Sequence, residues 1–328
     1  MTRRETNDAL IRWVTEKAAS HGGIGLLALY GSYLNGTAGE RSDIDVYYIP
    51  ADDGARDFAR TFILDGVGYD IYPRSWENLA AIASMENFMT PCLADVQVLY
   101  GTDAARARLA SLQETLQANL ADAAYCRKIA EKRFAEALRY ADAPGYLLMA
   151  LGDVIAALNG TYFRFGIKRY LAELSAMEKK PADYLSLAAE IVAAPTEERC
   201  EALIASVGAY AGFSAEVPPI VHASEPPKAA ADAASLYEEI SSTFGKIYTA
   251  AEQGDAVYAF LAAANLAGEL AWIGWPLPSL MAAWNADDLC GFAAHARAVE
   301  AALVGEIGAR GGSIRRYADF SEFAENIK

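Results

Sequence analysis

Ile24-Gly25-Leu26-Leu27-Ala28-Leu29-Tyr30 is an apolar run that stops at Gly31-Ser32, and Ser42-Asp43-Ile44-Asp45-Val46 then sets two carboxylates in alternation. The run is short enough to be a buried strand, although periodicity alone does not separate it from a buried helix segment. Gly31 has no Cβ, so its backbone can approach a phosphate closely. Strand side chains repeat every two residues, which puts Asp43 and Asp45 on one face. Two carboxylates about 6–7 Å apart repel each other, and a cation between them relieves that repulsion. Asp70 stands in a similar frame within Val67-Gly68-Tyr69-Asp70-Ile71-Tyr72, another β-rich run. Acids on adjacent strands can hold one or two Mg²⁺ ions, the oxygen-ligand arrangement suited to a nucleoside triphosphate.

Gly31-Ser32, then Asp43-Ile44-Asp45, then Asp70 resembles the signature of the polymerase-β-like nucleotidyltransferase superfamily. The resemblance covers about residues 24–72 of 328. It implies that the Gly-Ser turn binds the triphosphate tail, that Asp43, Asp45 and Asp70 bind Mg²⁺, and that the donor is a nucleoside triphosphate, ATP being the expected one. It also implies that Asp43, Asp45 and Asp70 are the catalytic residues, with Asp70 completing the metal site or acting as base. Polar turns and a strand-edge charge would explain each residue singly. They would not explain the apolar residues that frame every acid.

Around this core, Thr6–Ser20 reads as a helix stopped by His21-Gly22-Gly23, with strands at about 24–30, 44–49 and 67–73. A short helix is expected over Ala55–Phe62, a helix capped by Ser75 through about Met85, and a fourth strand over Ala94–Tyr100. After about 103 the strand signal disappears, and amphipathic Ala-rich segments take over near 104–119, 121–142, 146–164, 181–193, 197–210, 231–252, 255–271 and 286–308. The expected class is therefore α+β: a small mixed-sheet nucleotidyltransferase domain over 1–103, then an all-helical domain over 104–328. That second domain is in one part, or in two split near 214–230 by the Pro-rich passage from Val217-Pro218-Pro219 to Pro226-Pro227-Lys228.

Composition narrows the function. No apolar run approaches the roughly 20 residues of a membrane span, and the N-terminus lacks a signal-peptide core, so a cytoplasmic protein without membrane contact is expected. Cys92, Cys126, Cys200 and Cys290 have no paired spacing and read as reduced core residues. The three histidines form no helical pair, which argues against a His-based metal site. A net charge of −15 argues against a nucleic-acid partner, which would call for a basic surface, and suits a small, cationic acceptor. The resemblance extends to enzymes that modify aminoglycosides and lincosamides, and so implies transfer of a nucleoside monophosphate onto a small-molecule hydroxyl with release of pyrophosphate. The alternatives are a non-catalytic nucleotide-binding or regulatory protein, and transfer onto a protein side chain.

Other residues carry weaker signals. Arg164 and Lys168, in the basic stretch Asn159–Arg169, can be read as triphosphate ligands or as the end of a helix closed by Gly166. Asp153 and Glu136 are candidates for a base or for a solvated helix face, and Trp272, Trp275 and Trp284 for a pocket lining or for core. The oligomeric state is not written in any of these residues.

Overall fold

Helix α1 (Arg3–His21) opens with a reciprocal capping box: the Thr2 hydroxyl accepts from the Glu5 N–H, and the Glu5 carboxylate accepts from the Thr2 N–H at 2.8 Å. Its apolar stripe, Leu10, Val14 and Ala18, is fully buried against a sheet. That sheet is built from β1 (Ile24–Tyr30), β2 (Asp45–Pro50), β3 (Arg60–Leu64), β4 (Val67–Pro73), β5 (Gln97–Gly101) and β6 (Arg316–Tyr317), in the order β5-β1-β2-β4-β3-β6. The β1–β2, β1–β5 and β3–β4 pairs are antiparallel; β2–β4 and β3–β6 are parallel. The computed structural model describes residues 1–51, 53–216 and 226–327.

Two strands were not foreseen. The expected helix over 55–62 is a 3₁₀ helix, Asp53–Phe58, followed directly by β3. Asp65 and Gly66, both at positive φ (49° and 73°), then close a two-residue hairpin into β4. The second is β6, which lies far beyond residue 103 and pairs with the sheet edge at Ile63 and Leu64.

Short helices α2 (Gly31–Leu34), α3 (Trp76–Ala83) and α4 (Pro91–Ala94) interrupt the strands, and Ser75 caps α3 by accepting from the Asn78 N–H at 3.1 Å. Then come α5 (Asp103–Ala121), α6 (Ala123–Ala137), α7 (Pro144–Leu158), α8 (Tyr170–Ala176), α9 (Tyr184–Ala193), α10 (Glu197–Ala211), α11 (Ala230–Gln253), α12 (Ala256–Ile273), α13 (Leu289–Ala309) and α14 (Phe320–Asn326). The α+β class therefore stands, with the mixed sheet near the N-terminus and helices after it.

A single cut at 103 does not describe the compact units. The first unit is Met1–Ala118 with Ala229–Gly245 and Ile307–Lys328; the second is Asn119–Lys228 with Lys246–Glu306. The tail belongs to the first because Phe323, fully buried, packs against Phe62 (ring centroids 4.4 Å apart) and Trp13 (5.0 Å) in the sheet's core. Val217-Pro218-Pro219, in the passage read as a linker, lies outside the described residues. Lys228, at its far end, donates its N–H to the Ile273 carbonyl within the second unit.

The second unit is a helical bundle. Its helix α12 is 18 residues long with a mean hydropathy of 1.4, enough by length and composition to cross a membrane, and 56% of it is buried inside the protein. It is the helix expected near 255–271, and Asn265 and Glu269 interrupt its apolar run. Trp284 packs between Phe260 and Phe292 and donates to the Val192 carbonyl at 2.8 Å, and Trp275 donates to the Lys228 carbonyl at 3.1 Å. Trp275 is buried and Trp284 is half-buried against the core, whereas Trp272 is exposed and lies under the Lys228 ammonium. Cys92, Cys126 and Cys200 are buried as expected; Cys290 is exposed.

Candidate active site

The site begins where β1 ends. Tyr30, its last residue, is the register partner of Asp45, the first residue of β2. Gly31 follows at φ +78°, and a Cβ there would overlap the Asp45 carboxylate. Glycine is thus required twice, by the backbone conformation and by the close approach of an acid. Ser32 continues into the single turn of α2, and its carbonyl accepts from the Thr37 N–H at 3.0 Å, which folds the following loop back on the turn.

Asp43 and Asp45 share a face because Ile44 and Val46 are both buried in the opposite, α1-facing core. Ser42 anchors the approach: its hydroxyl accepts from the Gly39 N–H at 2.9 Å and its carbonyl from the Asn7 side chain at 3.3 Å. Asp45 and Asp70 are register partners on the parallel strands β2 and β4, so the two acids stand side by side. On its other flank Asp70 is paired with Thr61 of β3. The Asp70 carboxyl is pushed up to about 7, first by burial and then by the negative charges of Glu239 and Asp43. Asp45 and Asp70 thus share one sheet face, and Asp43 stands two residues before Asp45, ahead of the first residue of β2.

Deeper on that face lies a group that sequence reading missed. The Tyr30 and Tyr72 hydroxyls are 2.7 Å apart, and the Arg74 guanidinium lies 5.2 Å from the Tyr72 ring and 5.6 Å from the Tyr47 ring. Arg74 also donates to the Tyr72 hydroxyl at 3.1 Å and to the Cys92 sulfur at 3.1 Å. Burial, with Asp45 second, holds the Tyr30 phenol well above its ordinary value, so the group presents a neutral floor backed by one cation. The signal was available: Asp70, Tyr72 and Arg74 follow the same two-residue period as Asp43 and Asp45.

Among the described residues, no three His, Cys, Asp or Glu side chains are closed around a common point for a metal. The donors present are nevertheless carboxylates on adjacent strands, the hard-oxygen type that suits Mg²⁺. That ion is commonly held by one or two protein carboxylates together with substrate phosphates.

The remaining candidates belong to the second unit. Helix α7 stops at Leu158, with Gly160 at φ +63°, so Asn159–Arg169 is not a helix end closed by Gly166. The Glu173 carboxylate accepts from the Arg164 and Phe165 N–H groups at 2.8 and 3.1 Å, and the Arg164 guanidinium lies over the Tyr162 ring. Glu136 is on an exposed helix face, whereas burial pushes the Asp153 carboxyl up to about 6.

A sheet that presents a Gly-Ser turn and paired acids at one end defines a transferase of nucleotidyl groups. Residues 11–71 match the family model described as Nucleotidyltransferase domain, and this domain is of the polymerase-β-like nucleotidyltransferase superfamily. The match contains Gly31, Ser32, Asp43, Asp45 and Asp70, and the helical unit lies outside it. No curated protein matches the chain.

Proposed function

We propose that the protein moves a nucleoside monophosphate from a nucleoside triphosphate, ATP being the expected donor, onto a hydroxyl of a small, cationic acceptor. The observation that carries this reading is the side-by-side pairing of Asp45 and Asp70 next to a turn where only glycine fits against Asp45. Gly31 and Ser32 would hold the triphosphate tail through their backbone, while Asp43, Asp45 and Asp70 would hold Mg²⁺. When bound, the metal supplies charge neutralisation at the reacting phosphate and at the leaving group.

The acceptor oxygen attacks the α-phosphorus, the bond from that phosphorus to the bridging oxygen breaks, and pyrophosphate leaves. The hydroxyl proton goes to a base. Where Asp43 and Asp45 alone hold the metal, Asp70 is the base, because its carboxyl, pushed up to about 7 in the metal-free protein, takes a proton more readily than an ordinary aspartate. The net charge of −15 supports a small acceptor over a nucleic acid, whose phosphates the surface would repel.

Pyrophosphate release with Mg²⁺ and each nucleoside triphosphate, across a panel of amino-alcohol acceptors, is the test. Asp45→Asn should abolish release and leave the melting profile of the metal-free protein close to that of the wild type. Activity retained in Asp45→Asn would refute the metal assignment. Mg²⁺-dependent stabilisation by nucleotide, about 2.7 kcal/mol at 100 times the dissociation constant, with no release under any condition would make the protein a nucleotide-binding module instead.

A further inference from the structure

Asn7, in the second turn of α1, is 1% exposed and precedes the family match, which begins at residue 11. Its side-chain nitrogen donates to the Ser42 carbonyl at 3.3 Å, and its side-chain oxygen accepts from the Tyr69 hydroxyl at 2.6 Å. Ser42 and Tyr69 are the residues immediately before Asp43 and Asp70. One side chain thus joins the two chain segments that carry those acids. It does so from behind the sheet: Tyr69 packs in the core with Leu10 and Val14 of α1, and strand alternation turns Asp70 to the other face.

The link is directional and rigid. Arg3 donates to the Tyr69 hydroxyl at 3.2 Å, which leaves the hydroxyl's own hydrogen for Asn7. The Tyr69 ring stacks on Phe62, with centroids 5.6 Å apart. Arg3 also donates to the Glu40 carbonyl at 2.9 Å, in the loop that leads to Asp43. Beside Asn7, Asp8 accepts from the hydroxyl of Tyr33, the residue after Ser32.

Asp45 and Asp70 are placed by strand register, but β2 and its register pairs begin at Asp45, so Asp43 is placed by the loop before it. A buried amide needs a partner for each polar atom, a requirement an apolar side chain does not have. What the amide adds is a fixed geometry between the groups it joins. Mg²⁺ demands near-octahedral oxygen ligands at about 2.0–2.1 Å, and such a site has to be held to within about 0.5 Å.

We infer that Asn7 is a positioning residue of the acid site, setting through Ser42 and Tyr69 the separation of Asp43 and Asp70. This role rests on the Mg²⁺ assignment proposed above.

The test uses the full-length protein and Mn²⁺, which takes the same oxygen ligands as Mg²⁺. Bound and free Mn²⁺ are separated by electron paramagnetic resonance, with and without a non-hydrolysable ATP analogue, at a temperature where every variant is folded. Asn7→Ala should weaken Mn²⁺ binding about tenfold, as loss of a residue that orients a metal ligand does. Tyr69→Phe keeps the ring in the core and the Ser42 bond in place, and should weaken binding by a smaller factor. The double variant should bind no worse than Asn7→Ala alone, because both changes break one link. Phe323→Ala, a core truncation away from this link, should keep the wild-type affinity. Unchanged affinity in Asn7→Ala, additive losses in the double variant, or an equal loss in Phe323→Ala overturns the role; if Asn7→Ala does not fold, unchanged affinity in Tyr69→Phe overturns it. A wild type that binds no Mn²⁺ refutes the metal assignment and the role of Asn7 together. Mn²⁺ bound without pyrophosphate release refutes the transfer reading, and the affinities still decide the role of Asn7.

Discussion

Asp70→Asn is expected to stabilise the metal-free protein while abolishing its activity. In the folded chain the Asp70 carboxyl rises from 3.8 to about 7, so the folded state holds this proton more tightly than the unfolded state does. Well below 3.8, the ordinary value, both states are protonated and the group costs nothing. As pH climbs toward 7 the unfolded state ionises freely while the folded state resists, and stability falls; above 7 the full penalty is present. At about 1.4 kcal/mol per tenfold change in proton affinity, the rise corresponds to about 4 kcal/mol. Partial solvent access reduces this to about 2–3 kcal/mol. An amide at this position carries no charge to bury. The difference in unfolding free energy between variant and wild type, measured by urea titration with a chelator present, should therefore be about 2–3 kcal/mol larger at pH 8 than at pH 3.5. Comparing the two proteins at each pH cancels the contributions of carboxylates that do not interact with Asp70. Mg²⁺ with nucleotide should stabilise the wild type and not the variant. A difference that is the same at both pH values, or one that favours the wild type at pH 8, would refute the reasoning.

Gly31→Ala places a side chain in a left-handed conformation and into the Asp45 carboxylate; it should cost about 2–3 kcal/mol in thermal unfolding and lose pyrophosphate release along with it. Arg315 of the tail donates to the buried Glu238 carboxylate of α11 at 2.9 and 2.6 Å. Arg315→Ala leaves Glu238 buried with its main cation gone, a loss of about 2–4 kcal/mol, whereas Arg315→Lys should recover part of that stability; an Arg315→Ala protein that melts like the wild type would refute that pairing. Phe323→Ala removes a fully buried ring that touches both α1 and β3 and should cost about 3–4 kcal/mol, although it lies outside the matched family region; a cost below about 1 kcal/mol would detach the tail from the core.

Much of the sheet was legible because its signals are local. The run that became β1 is bounded at the residues expected, Ile24 and Tyr30, and the two-residue alternation correctly put Asp43 and Asp45 opposite Ile44 and Val46. That inference needs only the covalent geometry of an extended chain. Strand β3 was missed although Asp65-Gly66, a favoured hairpin turn, stood beside Arg60-Thr61-Phe62-Ile63-Leu64; its first three residues were assigned to the preceding helix, expected over Ala55–Phe62. The same two-residue period that found the acids also held Tyr72 and Arg74, unread.

What the chain's local pattern could not decide is which distant segments meet. A two-residue strand such as β6 has no propensity of its own and exists because β3 offers an unpaired edge and Phe323 a place in the core. The placement of α11 over Asp70 depends on a bare patch of backbone at Gly68 and on Glu238, Arg315 and Thr61, which come from three separate segments of the chain. Residue type and spacing thus singled out the paired acids and the glycine turn beside them. The company those acids keep was decided by burial and charge pairing between segments far apart in sequence, which no local period encodes.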